Sequence, residues 1–376
     1  MKQTTQLSWQ DNRYFCVEPY TPNDTLQISF DEVVHYGGSL SYEEIMGQHL
    51  NLEYSYDRQI WTSYTPGSVI TTTTAVYWRG NNPKVSEQID GTSTTAHIWL
   101  RGRNSVKYKI SGMLRSIINK NLYNLNVDAP VFAREIETNK FYGLFTNYYN
   151  GGETLYASYL ADASNLILDL KLTDYCYRHL FSNCRRLEVG PVLPYMTLTE
   201  GCYESMFESC YNLTTAPALP ALNLASRCYY LMFDRCTSLV TAPILPATTL
   251  AYSCYNWMFR YCSSLVNISS LPATTLAEGC YLGMFNYCDN LESIPALPAT
   301  TLVSECYESM FYGSPKIKIS ETRTGDYQNE FRIPTSGTGT ITGEYVLDGM
   351  FSNTGGTFTG TPTLNTTYYT SNTIVG

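Results

Sequence analysis

Cys176, Cys202, Cys228, Cys254, Cys280 and Cys306 fall 26 residues apart, and a second series, Cys184, Cys210, Cys236, Cys262 and Cys288, keeps the same step. Phe181, Phe207, Phe233, Phe259, Phe285 and Phe311 repeat with them, as do Leu187, Leu213, Leu239, Leu265 and Leu291. A unit this short cannot bury its own apolar face, so each copy must lend that face to the next. The spacing therefore predicts a solenoid over residues 173–315. Its interior would be lined by the first cysteine series together with Phe207, Phe233, Phe259 and Phe285.

Two patterns alternate inside one unit. Leu224, Cys228, Tyr229, Met232, Phe233 and Cys236 stand at offsets 0, 4, 5, 8, 9 and 12, about half the circumference of a helix that turns roughly 100° per residue. This predicts a short helix with one buried face. Thr197, Thr249, Thr275 and Thr301 precede the helical stretches, with Glu200 and Glu278 three residues after theirs, which reads as a capping box. The other half, Leu239 to Pro246, is too short and proline-rich for a helix and suits one strand leaving through a turn. One strand and one short helix per coil make an α+β, leucine-rich-repeat plan.

The phrase Met-Phe-x-x-Cys-x-x-Leu-x-x-x-Pro-x-Leu-Pro-Ala-Thr-Thr-Leu, carried by residues 172–315, resembles the BspA-like leucine-rich repeats of gut Bacteroidales and their phages. The resemblance implies a right-handed solenoid and a surface-exposed role in adhesion or recognition. It implies no particular ligand and brings no catalytic residues with it.

Twelve cysteines raise the question of a disulfide framework. Cys202 and Cys210 lie on one predicted helix about 12 Å apart by rise, beyond the roughly 7 Å that a bridge allows. Bonds between successive coils remain open by distance. Small reduced thiols packed in the core are the preferred reading. No Cys-x-x-Cys or histidine spacing suggests zinc, and no cofactor is expected.

Residues 1–130 lack the repeat. Leu26–Phe30, Leu50–Tyr56, Val69–Trp78 and His97–Arg101 read as strands, with a hairpin tip at Asp57, and predict an antiparallel β-sandwich-like domain. The run from Tyr54 through Trp61 to Trp78 also resembles the β domain that often precedes such repeats. Trp61, Tyr77, Trp78 and Trp99 invite a sugar-stacking reading, although alternating aromatics in a sheet more often form core. The segment Tyr108–Ile118 reads as helical or mixed. Residues 131–172 are expected to form an irregular cap, and 316–376 a decayed repeat around Gly349–Gly355 followed by a β cap, with disorder of that Thr/Gly-rich end as the alternative.

Net charge is −9 with 15% charged residues, so nucleic acid is not an expected partner. No apolar run is long enough to cross a membrane as a helix. His35, His49, His97 and His179 lie in no catalytic phrase, and no phosphate-binding loop is present. Repetition of a thiol at every coil is what a core does, so an enzyme is not expected. The outward positions vary from coil to coil, and Tyr230, Trp257, Tyr261 and Tyr287 are the weak candidates for ligand contact, as an uncharged aromatic patch suited to a sugar or protein. The first ten residues show no secretory signal. The expectation is a non-enzymatic recognition or adhesion protein on a virion surface, contacting a host glycan or protein and docked to other virion or envelope proteins through its N-terminal domain. A structural spacer of the virion and a trimmed bacterial surface adhesin are the alternatives.

Overall fold

The computed structural model describes residues 14–36, 42–43, 52–65, 68–80, 94–101, 106–117, 145, 159–168, 172–268, 270–292, 294–295, 297–317, 340–355, 369–370 and 373–374. The chain divides into two compact units, Met1–Thr173 with Cys184–Val192, and Asp174–Asn183 with Leu193–Gly376.

The described strands of the first unit are β1 (Phe15–Pro19), β2 (Leu26–Tyr36), β3 (Tyr42–Glu43), β4 (Leu52–Ser55), β5 (Thr62–Ser63), β6 (Ile70–Thr72), β7 (Val76–Gly80), β8 (Thr94–Arg101), β9 (Tyr108–Met113) and β10 (Leu160–Ile167). One sheet runs β10-β9-β1-β7-β4-β5, and a second runs β3-β2-β6 with β8 also paired to β2. All pairings are antiparallel except β9 with β10. Strand alternation buries Phe15 and Val17 of β1, Val76 and Trp78 of β7, and Tyr108 and Ile110 of β9. Phe30 of β2 joins the two sheets: its ring lies edge-on to Trp78 at 4.7 Å and 6.3 Å from Phe15. The buried Tyr64 hydroxyl accepts the Phe30 N–H at 2.9 Å and donates to the Ser68 carbonyl at 2.6 Å.

The expected strands Leu26–Phe30 and His97–Arg101 fall within β2 and β8, and β4 lies within the expected Leu50–Tyr56. The run from Val69 splits into β6 and β7, because the Thr72 hydroxyl accepts the Thr74 N–H at 3.0 Å and closes a local turn. The hairpin tip at Asp57 is present: its carboxylate accepts the N–H groups of Gln59 and Ile60, and Arg58 adopts φ 66°. Of the two readings of the segment from Tyr108, helical or mixed, the structure has the mixed one: strand β9 followed by a short 3-10 turn, Leu114–Ile117. Most of the expected cap lies outside the described residues; its described part, Leu160–Ile167, is strand β10 and bridges in parallel to Val189.

The second unit keeps the 26-residue period but not the helix. Residues 174–183, 200–209 and their equivalents are unbroken runs of turn, with a left-handed residue at every fourth position, for example Gly201, Ser205 and Ser209 at φ 52°, 53° and 59°. Alternate residues send their N–H groups in different directions. Tyr203, Ser205, Phe207 and Ser209 donate to the carbonyls of Cys228, Tyr230, Met232 and Asp234, 25 residues on, at 2.7–3.1 Å. Glu204, Met206, Glu208 and Cys210 donate three residues back, to Gly201, Tyr203, Ser205 and Phe207, at 3.0–3.2 Å. A helix would spend every N–H on the carbonyl four residues back. Here half of them serve the neighbouring repeat, which makes the arrangement compatible with a repeat solenoid.

The offsets 4, 5, 8, 9 and 12 are therefore marks of a four-residue period. They return to the same two corners of each turn, whereas a helix would drift. The threonines cap nothing: Thr197 bridges Asn223, Thr249 bridges Thr275, and Thr301 lies in β11 (Thr301–Leu302), which pairs in parallel with β12 (Thr340–Ile341). The expected strands shrink to single parallel bridges, Thr215 to Thr241 to Asn267. Pro217 and Pro243, which offer no N–H, stand two residues beyond the bridge.

Inside, the rings pile in register. Centroids from Phe181 through Phe207, Phe233, Phe259, Phe285 and Phe311 to Phe351 are 5.4–5.6 Å apart with planes within 9°. Tyr177, Tyr203, Tyr229, Tyr255, Tyr281 and Tyr307 form a second column at 5.7–6.1 Å. The place of Phe351 in the first column makes the segment near Gly349 a further copy of the repeat. Of the C-terminal end, β13 (Tyr369–Thr370) and β14 (Thr373–Ile374) form a small hairpin, and the rest after Gly355 lies outside the described residues.

All twelve cysteines are buried thiols that form no disulfide. Burial pushes the Cys254 and Cys306 thiols up to about 12. The second series does more than fill space: Cys210, Cys236 and Cys262 donate S–H to the carbonyls of Phe181, Phe207 and Phe233 in the preceding repeat, at 3.1–3.2 Å. Ser314, which replaces the cysteine, makes the same bond to Phe285 at 2.9 Å. Native protein should accordingly leave all twelve thiols unreactive to an aromatic disulfide reagent, with full release on unfolding in guanidinium. Cys236→Ala should cost about 1–3 kcal/mol in chemical denaturation and Cys236→Ser less. Phe233→Ala should cost about 3–5 kcal/mol.

Candidate functional site

The four-residue turns leave two positions off the ring columns between each tyrosine and methionine, and two more between each phenylalanine and cysteine; some face outward, and others, such as Glu204, Ser205 and Asp234, are buried against neighbouring repeats. One residue of each such pair is left-handed, as Trp257 (φ 52°), Tyr261 (φ 59°) and Tyr287 (φ 55°) are. Equivalent residues of successive repeats lie in columns.

Tyr261 and Tyr287 stack at 4.9 Å with planes 2° apart, and Tyr312 meets Tyr287 edge-on at 5.5 Å. Trp257 lies 5.9 Å from Tyr230. The expected patch thus exists as two groups, and it is not uncharged. Arginines fill the space between the rings: Arg227 over Tyr230 at 4.4 Å, Arg260 over Trp257 at 4.9 Å and over Tyr261 at 5.5 Å, and Arg235 over Tyr261 at 4.7 Å. Ring faces are consumed by this packing. Edges, hydroxyls and guanidinium N–H groups are what the column offers outward, and Tyr287 is its most exposed ring at 37%.

Two buried carboxylates anchor the arginines. The Glu204 side chain, 3% exposed, receives Arg178 at 2.9 Å and Arg227 at 3.1 Å. Asp234, 1% exposed, takes Arg260 in a two-pronged contact at 2.9 and 3.0 Å, with Arg235 at 3.5 Å. Burial raises the Asp234 carboxyl above its usual range even though Arg260 pulls the other way. Glu208 shows the reverse balance: burial pushes it up, but His179 and Ser182 outweigh that and lower it. Sequence reasoning passed over these charges. Their signal was the same 26-residue step, since Arg178 precedes Glu204, and Asp234 precedes Arg260, by one repeat.

Large outward rings need room on the next repeat, and glycine supplies it. A Cβ on Gly283 would sit 2.3 Å from Trp257 Cδ1, and one on Gly313 would sit 2.5 Å from the Tyr287 ring. Each ring lies flat on the backbone of the following repeat. The core residues expected from the sequence, Cys176, Cys202, Cys228, Cys254, Cys280 and Cys306, are fully buried and contribute nothing to this face. Of the N-terminal aromatics, Trp78 is core, whereas Trp61 and Tyr77 face outward under Arg79 at 3.9 Å and Arg58 at 5.2 Å.

Among the described residues, no group of histidine, cysteine or carboxylate side chains could hold a metal ion, and no helix is long and apolar enough to cross a membrane. No family model, curated protein or solved structure matches the chain.

Gly283→Ala should displace the Trp257 ring as well as strain a left-handed position. We expect a loss of about 1–2 kcal/mol and a red shift of tryptophan emission that is absent in a Trp257→Phe background. Arg260→Met should leave Asp234 buried without its main partner and lower stability by about 3–5 kcal/mol near neutral pH. An aspartate whose folded pKa is raised contributes stability that is present below the unfolded pKa and lost as pH rises through the folded one. The deficit in urea denaturation should therefore be smaller at about pH 4 than at about pH 7.

Proposed function

We propose that this chain is a non-enzymatic recognition or adhesion protein displayed on an extracellular surface, a virion component that touches its host, with residues 173–315 as a solenoid of the BspA-like leucine-rich-repeat kind. The observation that carries the reading is the division of labour within each repeat. Backbone, thiols, phenylalanines and tyrosines are spent inward, while the outward pairs change from copy to copy and gather Tyr230, Trp257, Tyr261 and Tyr287 with Arg227, Arg235 and Arg260. Tyrosine, tryptophan and arginine are the residue types that dominate binding hot spots. Edge-on rings and guanidinium groups suit an acceptor-rich partner, a host glycan or protein.

A second reading, a structural decoration or spacer docked to a virion or envelope through its N-terminal domain, is favoured by one specific observation. The outward rings already pack on one another and on glycine, as stiffening elements would. Binding of labelled full-length protein to host cells separates the two. For recognition, the Tyr230→Ala, Tyr261→Ala, Tyr287→Ala triple variant should bind at least about tenfold more weakly, roughly 1.4 kcal/mol, with an unchanged circular dichroism spectrum. Equal binding by the variant, or no binding by the wild type together with its incorporation into particles, would favour the spacer.

A further inference from the structure

The outward face of the β10-β9-β1-β7 sheet holds a cleft of about 290 Å³ lined by Tyr14, Cys16, Glu18, Tyr77, Lys109, Ile110, Ser111, Gly112, Asp162 and Asn165. Strand register explains how a flat sheet acquires it. Tyr77, Cys16, Ser111 and Asn165 lie side by side in one row across the four strands, and Glu18, Lys109 and Asp162 in the next. Small side chains, Cys16 and Ser111, occupy the middle of the first row, with Tyr77 and Asn165 at its ends, so the row is hollow at its centre. In an ordinary strand Asp162 and Asn165, three residues apart, would point to opposite faces. The register shift in β10 between them inserts an extra residue, and both side chains reach the same face. Beside it Gly112 takes φ 77°, where an added Cβ would meet the Tyr14 carbonyl at 1.9 Å. The main chain of Tyr14 can thus close over the cleft's end, and its carbonyl accepts the Met113 N–H at 2.9 Å.

Two local irregularities thus converge on one hollow. We propose that this cleft is a saccharide site taking a single neutral sugar ring. Its volume lies at the lower edge of the roughly 300–1,000 Å³ usual for small-molecule sites, enough for one ring and too little for a chain. The charges around the cleft balance: Glu18 and Lys109 neutralise one another at 3.3 Å, and Asp162 is offset by Arg58 over Tyr77 at 5.2 Å, which suits a neutral sugar better than a charged one. One Asp162 oxygen accepts the Ser164 N–H at 2.7 Å, which fixes the carboxylate and turns the other oxygen to a ligand hydroxyl. Asn165, Ser111 and Lys109 add donors beside it, the alternation of donor and acceptor that vicinal hydroxyls require. The Tyr14 and Tyr77 side chains supply apolar ring surface at the rim. Cys16, held protonated by burial, forms a neutral floor and not a nucleophile. The cleft is independent of the repeat columns, so either can fail without the other.

The test is saturation-transfer NMR on the full chain with glucose, galactose, mannose, N-acetylglucosamine and N-acetylgalactosamine, and with glucuronate and ethanolamine as charged comparators. At least one neutral sugar should bind in the millimolar range, weakened about tenfold or more by Asp162→Asn and by Asn165→Ala, and unaffected by Tyr287→Ala. No binding by any neutral sugar, binding that survives both cleft variants, or binding of glucuronate or ethanolamine alone would overturn the proposal. Thermal melting of both variants checks that they fold; a neutral sugar still bound by the folded Asp162→Asn protein at wild-type strength would also count against it.

Discussion

The hydrogen bond from every second N–H to the carbonyl 25 residues on is the constraint from which the second unit follows. A chain has one donor and one acceptor per residue, and buried ones must be paired. By turning alternate peptides along the stack and the others within the turn, each repeat satisfies its own backbone and its neighbour's together. Neither half of that accounting closes for a single copy. The rings then have no freedom of spacing: at 5.4–5.6 Å with nearly parallel planes they stack offset, an arrangement that the aromatic quadrupole favours over a face-to-face sandwich. The thiols of Cys210, Cys236 and Cys262 fit the same scheme as donors to a carbonyl of the preceding repeat. Serine at position 314 can replace them where alanine could not.

Much of this was legible in the sequence, and the errors have one physical source. Period and interior could be read directly, because a ladder leaves its residue type at every step. The helix was misread because offsets of 4, 5, 8, 9 and 12 fit a 3.6-residue turn nearly as well as a four-residue one over so short a span. The sign that separates them lies in Gly201, Gly279, Gly283, Gly313 and Gly349, all at the left-handed phase of their turns, a phase a right-handed helix never supplies. In the first unit, runs with alternation were recovered, whereas β9 and β10 were hidden by a bulge and a left-handed glycine that spoil the period of two. Those same irregularities build the cleft. The candidate surface was half read: the aromatics drew attention, and the arginines between them did not, since a charged residue in a variable position looks like ordinary solvated variation.

The outward columns obey a limit of their own. A left-handed aromatic lays its ring on the backbone of the next repeat, so the next residue in its column must be glycine or another ring that can stack. Trp257 is followed by Gly283, and Tyr287 by Gly313; the Tyr261 and Tyr287 pair extends a ring onto a ring. Aromatic surface on such a face therefore comes in short lengths ended by glycine, and whatever contacts it meets small patches separated by bare backbone.

Identical interiors create a hazard that the buried charges answer. Cysteine, phenylalanine and tyrosine columns match equally well if a repeat is skipped during pairing, so nothing inside the stack distinguishes the correct neighbour from the one beyond it. The ion pairs do. With one repeat omitted, Asp234 would face Asn286 instead of Arg260, and Glu204 would lose Arg227 for Ser253. Glu204 would be left with Arg178, and Asp234 with the longer contact to Arg235 at 3.5 Å; a buried carboxylate that loses a guanidinium carries a penalty larger than the modest net gain of the correct pair, which must itself offset desolvation. Glu204 and Asp234 thus act less as sources of stability than as marks of address between neighbouring repeats.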